Sequence, residues 1–370
     1  MNGLRVASLF ASLFLNGVGW AQEADSPASV SSAQKTDTPK DPAQNRGRLP
    51  FDVAGYLSFR RLNDDALRGH HFYEEYSGSL FLGKSFGRWR FHSEFNVSNA
   101  PEFDSEGLHL FPARPSLSVK LDNGSLNYNA RDWLQVTTGF LFVPTYWREH
   151  RYQSTVLTVD DPLIDQTIFA TAFAGVMAHG NWYFRDGGFG YQIYGGIAQQ
   201  TELDQGVNFR SNERFRAVGG KLVIHVPTRG FFDTFDAAFH RLHEQTDVDR
   251  DELYGGELHL EKNRLGLLSE FAHASMDIVR GSRSHIRQGY YVQPSYQITR
   301  KLFAVARYDR LTLDSRAASE SGMARQLVGL TYRPVPELSL KLDADRYQPG
   351  GGEPAYYGGS VGVVYFFRLK

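Results

Sequence analysis

From Phe51 onward the chain alternates apolar and polar residues with a period of two. Over 88–99, Trp89, Phe91, Phe95 and Val97 share one parity, and Arg90, His92, Glu94 and Asn96 share the other. Near the end, Leu338, Leu340, Leu342 and Ala344 oppose Ser339, Lys341, Asp343 and Asp345. Successive side chains of a β-strand leave opposite faces of the sheet. Each segment therefore predicts a strand with one apolar and one strongly polar face. About sixteen such segments occur, an even number, near 51–61, 72–85, 88–99, 116–130, 133–143, 167–184, 189–199, 214–226, 231–243, 252–262, 265–277, 286–299, 301–312, 325–333, 337–347 and 358–370.

Length decides what kind of sheet this is. Strands of soluble proteins run about five or six residues, whereas strands that cross a membrane need about 9–11. Most segments here reach the longer value. The links between them alternate short and long: Gly87, 131–132, 185–188, 227–229, 263–264, 300 and 334–336 are short, and 62–71, 100–115, 144–166, 200–213, 244–251, 278–285, 313–324 and 348–357 are longer. A sandwich has no reason to keep that alternation, but a transmembrane barrel does. The predicted fold is all-β: a transmembrane antiparallel up-and-down β-barrel of about 16 strands, with short periplasmic turns and longer extracellular loops. One strand changes parity at Asn123-Gly124. Half-strands on either side would be too short to span, which predicts a bulge there.

The N-terminus adds a location. Arg5 precedes the apolar run Val6–Leu15, and Gly19 and Ala21 flank Trp20, the layout of a cleaved signal peptide over 1–21. Residues 22–48 are rich in Ala, Ser, Pro, Asp, Gln and Lys, and predict a flexible periplasmic linker. The barrel then occupies 49–370. A formal net charge of -1 argues against a nucleic-acid partner. The absence of cysteine removes disulfides, thiolate metal sites and cysteine nucleophiles. Mean hydropathy is -0.40, as barrels give, because alternation hides their apolar band. Many aromatics fall near strand ends on the apolar parity, among them Trp89, Trp182, Phe184, Tyr308, Tyr332 and Phe367, and predict interfacial girdles.

Three stretches carry a family resemblance. Thr138–Pro144 followed by Trp147 and Asp160-Asp161-Pro162-Leu163 looks like a strand and the long loop after it. Gly289–Tyr296 looks like a late Tyr-rich strand, and Val361–Phe367 like the closing strand. With these, the chain resembles Gram-negative outer-membrane porins of the phosphate-selective O/P type from about residue 50 to its end. The resemblance implies passive transport and a homotrimer. Phosphate-selective members carry a dense cationic ladder, whereas the polar faces here mix both signs, so no constriction residue is carried over from the family.

The functional expectation is an outer-membrane porin, giving passive diffusion of small hydrophilic solutes or ions, anions among them, through a water-filled lumen. No cofactor and no metal are expected. The partners expected are outer-membrane lipid and lipopolysaccharide, the solutes or ions themselves and the barrel-assembly machinery. Parity places Arg60, Arg90, His92, Glu94, Lys221, His225, Glu257, Arg307, Lys341 and Asp343 on the lumen side. The loop 144–166 adds Arg148, His150 and Arg151. If it folds inward, Arg148 and Arg151 are the first choice for anion contacts, since a guanidinium binds carboxylate or phosphate bidentately. The alternatives weighed are a barrel enzyme (phospholipase or protease) and an adhesin or scaffold with a blocked lumen. No nucleophile motif stands out. His240 and His243 point to opposite faces of a strand, and HExxH is absent.

Overall fold

In the computed structural model the described residues are 51–370, apart from 65–70, 99–102, 105–106, 109–117, 151, 153, 169–171, 185–186, 200–213, 228–230, 246–248, 279–283, 314–320, 351, 353 and 370. The segments read above as signal peptide and linker lie outside them. Sixteen strands form one closed antiparallel barrel. In chain order they are β1 (Asp52–Asp64), β2 (His71–Phe86), β3 (Trp89–Ser98), β6 (Ser118–Arg131), β7 (Leu134–Phe142), β8 (Ala172–Phe184), β9 (Gly187–Gln199) and β10 (Arg214–His225). The second half holds β11 (Thr234–Gln245), β12 (Asp249–Lys262), β13 (Leu265–Ile278), β14 (Ser284–Gln297), β15 (Leu302–Leu313), β16 (Ser321–Val335), β17 (Leu338–Pro349) and β18 (Tyr356–Leu369). Two-residue strands β4 (Phe103–Asp104) and β5 (Gly107–Leu108) pair only with each other.

Every sequential pair of barrel strands is hydrogen-bonded, and β1 pairs with β18 from Val53–Leu369 to Asp64–Gly358. The sheet therefore has no edge. In hydrocarbon an unpaired backbone group would cost several kcal/mol, and closure removes that cost.

The polarity of the wall is inverted relative to a soluble protein. In β17, Leu340 and Leu342 are 38% and 54% exposed, whereas Lys341 and Asp343 are 2% and 1% exposed. Outward Ile193, Ile197, Val218, Leu222, Phe239 and Val328 continue the apolar surface around the barrel. Trp133 and Trp182 stack at 5.7 Å, with Tyr191 beside Trp182 at 5.4 Å. With exposed Phe86, Trp89 and Phe184 they gather at the rim of short links.

The predicted bulge is present. Glu94 pairs with Asn123 but Phe95 with Leu121, which leaves Asp122 as the extra residue of β6. That single insertion keeps Val119 and Leu121 outward before it, and sends Asn123, Ser125 and Asn127 inward after it. Opposite, Gly139 of β7 has φ 137° and lies so close to the Gly124 carbonyl that a Cβ would collide with it. Only glycine tolerates both constraints.

Two expectations need correction. Residues 163–167 form a short helix (Leu163–Thr167), and β8 starts at Ala172 rather than near 167. The apolar Leu163, Ile164 and Ile168 pack inside the barrel and do not continue the wall. The strands on either side of Gln245 are also shifted: β10 and β11 are separated by 226–233, and β11 and β12 by only 246–248. Phe231 and Phe232 mimic a strand start, but pack on each other at 4.8 Å in the turn, with Phe232 on Phe235 at 5.7 Å. The short–long alternation fails at those two links.

A cation placed on the outward face tests the inversion. Leu342→Arg is expected to lower the free energy of unfolding in lipid vesicles by about 2–4 kcal/mol, measured by urea titration. A loss under about 0.5 kcal/mol, the range of ordinary surface changes, would show that this face does not meet lipid.

Candidate functional site: the lumen and its inner loop

The segment 143–168 leaves the rim of long links and enters the barrel. It is bound there by charge and by apolar contact. Trp147, in the short helix Tyr146–His150, is 2% exposed; its ring meets Tyr291 edge-on at 6.2 Å and its indole N–H donates to Asp161 Oδ1 at 3.2 Å. Ile164, Ile168, Leu163 and Val143 join Phe173, Tyr194 and Leu242 of the wall in one buried apolar cluster. Full burial of each large aliphatic side chain contributes about 1.5–3 kcal/mol. Tyr194 and Tyr291 fill the barrel here, and offer no open stacking surface.

The polar half of the attachment is ordered along the loop. Thr331 Oγ1 donates to Leu157 O at 2.6 Å, Lys341 Nζ to Thr158 O at 3.1 Å and Arg60 Nη1 to Val159 O at 3.2 Å. Arg333 donates to Thr155 O at 2.7 Å, and both Arg307 and Arg325 donate to Asp161 O. Backbone N–H groups run the other way: Val159 donates to Asp343 Oδ2 at 2.6 Å and Leu163 to Asp309 Oδ1 at 3.2 Å. Asp309 is the hub. Its Oδ2 accepts from Arg307 Nε and Arg325 Nε, each at 3.0 Å, with the Asp309 and Arg307 side chains fully buried. Buried charges persist only when paired, and here the pairing includes loop backbone. On the other flank Glu149 accepts from Lys221 Nζ at 2.7 Å and Gln192 Nε2 at 2.8 Å.

The candidates from parity therefore divide by place. Arg60, Lys221, Arg307, Lys341 and Asp343 hold the loop, and all but the half-buried Arg60 are buried. Glu257 is buried against Lys221, and Glu94 is buried with Ser79 Oγ donating to it at 3.2 Å. His225 lies in the β10–β11 pair, 2.6 Å from Asp236, half-buried and away from the loop. Arg90 is exposed and His92 half-buried. His150 is exposed in its helix; Arg151 and the side chain of Arg148 lie outside the described residues.

Arg90 and His92 meet at the space the loop leaves open. A cavity of about 260 Å³ lies between the loop and the wall of β3, β6, β7 and β8. Its polar lining is Arg90, His92, Asn123, Ser125, Asn127, Thr137 and His179, faced by Glu149 and Tyr152 of the loop. His179 Nε2 lies 2.9 Å from Thr137 Oγ1 and 3.3 Å from Asn127 Nδ2. Tyr152 packs edge-on against Phe81 at 5.3 Å, and Phe81 stacks on His92 at 6.1 Å. Parity alone could have found His179, which shares its face with Phe173 and Met177 and opposes Val176 and Trp182. Arg325 and Asp309 form a clamp only once strand register and loop path are known.

Solved structures supply the comparison. The anion-selective porin from Comamonas acidovorans superposes with a TM-score of 0.59 at 9% identity, covering 86% of this chain and 99% of that one. The outer membrane channel DcaP of Acinetobacter baumannii gives 0.59 at 11% identity, over 86% and 97%. OmpF of Salmonella typhi gives 0.59 at 13% identity, over 86% and 97%. The chain has the fold of outer-membrane porins. At such identities the likeness is one of fold alone. No protein-family model and no curated protein matches the sequence.

The porin-fold chain should depend on Asp309 to hold its loop. Asp309→Ala leaves Arg307 and Arg325 buried without their shared carboxylate, and is expected to cost about 3–5 kcal/mol of stability. Hydrogen exchange of the Val159 and Leu163 amides should accelerate in the variant. Unchanged protection at both would mean that the clamp does not fix the loop.

Proposed function

We propose that the protein is an outer-membrane porin for passive diffusion of small hydrophilic solutes, with a preference for anions. The observation that carries this reading is the open cavity beside the loop, lined on its wall side by Arg90, His92, His179 and neutral amides and hydroxyls. The loop's facing carboxylate, Glu149, is already engaged by Lys221 and Gln192. A solute passing there meets one fixed cation on the wall, Arg90, and a largely compensated loop. In a confined, partly dehydrated space such a bias selects by charge and width. Hydroxyl and amide groups on the remaining wall replace hydration without binding tightly, as conduction requires.

The resemblance to phosphate-selective O/P porins bears on this reading through the loop stretch Trp147–Leu163. Within it, Trp147, Asp161 and Leu163 are among the residues that seat the loop. The charges that could form a cationic ladder, Arg60, Arg307, Arg325, Arg333 and Lys341, are instead spent on loop carbonyls. We therefore read the pore as mildly anion-preferring and not as a dedicated phosphate channel. Lipid and lipopolysaccharide would surround the apolar band, with the rim of long links facing outside the cell.

Planar-bilayer recording of the purified protein in asymmetric KCl is the test. Stepwise conductance with a reversal potential on the anion side is expected, and Arg90→Glu should move that potential toward the cation side. Absence of conductance from folded protein would overturn the pore. An unchanged potential in the variant would remove Arg90 from the path.

A further inference from the structure

Three strands beyond the passage carry a group of buried side chains that neither the loop clamp nor the cavity uses fully. His240 of β11, Glu257 of β12 and Glu270 of β13 all turn inward. Glu257 and Glu270 are directly opposite one another in the β12–β13 pair, and His240 is diagonal to Glu257 across β11–β12. One ligand atom from each of the three lies within 4.8 Å of the others. His240 Nδ1 is 3.4 Å from Glu257 Oε1. The second oxygen of Glu257 is held by Lys221 Nζ at 2.8 Å, which fixes the carboxylate with Oε1 turned toward the imidazole.

Glu270 gives the independent sign of a ligand. It is 2% exposed, and neither carboxylate oxygen accepts a hydrogen bond of ordinary geometry. The Tyr291 hydroxyl, from the residue opposite it in β14, is close enough to interact. Like charges directly opposed on neighbouring strands destabilise the pair, and a buried carboxylate without compensation costs far more than an exposed one. The loop aggravates this: Asp165 lies close enough to interact with Glu270, and Glu149 shares Lys221 with Glu257. Lys221 thus serves Glu149, Glu257 and Glu270, while Asp165 adds a further carboxylate beside Glu270. Relief requires either shared protons or a cation.

We propose that His240, Glu257 and Glu270 form a binding site for a divalent first-row transition ion, with Zn²⁺ as its best-fitting probe. The donor set is one imidazole nitrogen and carboxylate oxygens, without sulfur. That set suits Zn²⁺ and its neighbours, whereas Ca²⁺ and Mg²⁺ favour all-oxygen shells of higher or stricter coordination. Three protein ligands leave a further position, which the Tyr291 oxygen or water can take. Lys221 is a positioning residue: by holding Glu257 Oε2 it orients Oε1, as outer-shell partners do at metal sites. The ion would neutralise the carboxylates beneath the loop helix Leu163–Thr167, and so join the loop to the wall opposite the passage. The site is independent of the transport reading, since it needs only the barrel and its loop.

The test uses the folded full-length protein in detergent, freed of metal with a chelator and titrated with Zn²⁺ against a chromophoric competitor. One Zn²⁺ per chain is expected, with Ca²⁺ and Mg²⁺ bound at least about tenfold more weakly. Glu270→Gln, which is nearly isosteric, and His240→Gln should each weaken Zn²⁺ binding by about tenfold or more. His259→Gln, two residues beyond Glu257 in β12 and with its imidazole paired instead with Glu261, should leave it unchanged. X-ray absorption at the zinc edge should show only N/O ligands at about 2.0–2.2 Å. No stoichiometric Zn²⁺ binding would overturn the site in favour of proton sharing between the glutamates. Equal binding by wild type and by whichever of the two variants retains its β-sheet circular dichroism would overturn it as well.

Discussion

The antiparallel pairing of β1 with β18 joins the first described strand to the last and leaves no free sheet edge. This one set of backbone hydrogen bonds allows every other strand to sit in hydrocarbon, where water cannot satisfy an open N–H or C=O. Once the ring is closed, its two faces meet different solvents. Leu340 and Leu342 can be exposed because their surroundings are lipid, and Lys341 and Asp343 can be buried because the interior offers partners. Each strand carries both faces, so the stability of the wall and the chemistry of the lumen are encoded in the same twelve or so residues, on alternate positions.

The interior is not simply an aqueous bore. Loop backbone from Thr155 to Leu163 is received by charged side chains of β1, β15, β16 and β17, while Trp147 and the helix Leu163–Thr167 fill the space beside β14 and β15. Irregular backbone is tolerated inside a membrane barrel only when its polar groups are satisfied by protein or water. The wall charges provide that satisfaction here. Their use for holding the loop leaves the wall of β3, β6, β7 and β8, with Arg90, His92 and His179, to line the remaining cavity.

Much of the wall was legible from residue order, because a period of two survives without any tertiary information. The parity change at Asn123-Gly124 even located the bulge that makes Asp122 the extra residue of β6 in the β3–β6 register. Local pattern failed where an apolar run served something other than the wall. Phe231 and Phe232 pack in a turn, and Leu163, Ile164 and Ile168 pack inside. Parity also assigns a face but no height, so it could not tell that Arg307, Arg325 and Asp309 converge on the carbonyl of Asp161. The grouping of His240, Glu257 and Glu270 was hidden for the same reason: its members are far apart in sequence and are brought together only by the β11–β12–β13 register.

The central claim is that one face of the wall meets lipid, one side of the lumen is sealed by the loop, and the other side stays wet. Because the chain contains no cysteine, single cysteines can report each environment by their reaction with a charged, membrane-impermeant thiol reagent in reconstituted vesicles. Asn127→Cys, lining the cavity, is predicted to react rapidly, while Ser339→Cys, buried on the inward face of β17, and Leu342→Cys, facing lipid, are predicted to stay inert. Rapid labelling at Leu342→Cys or Ser339→Cys together with silence at Asn127→Cys would contradict the account.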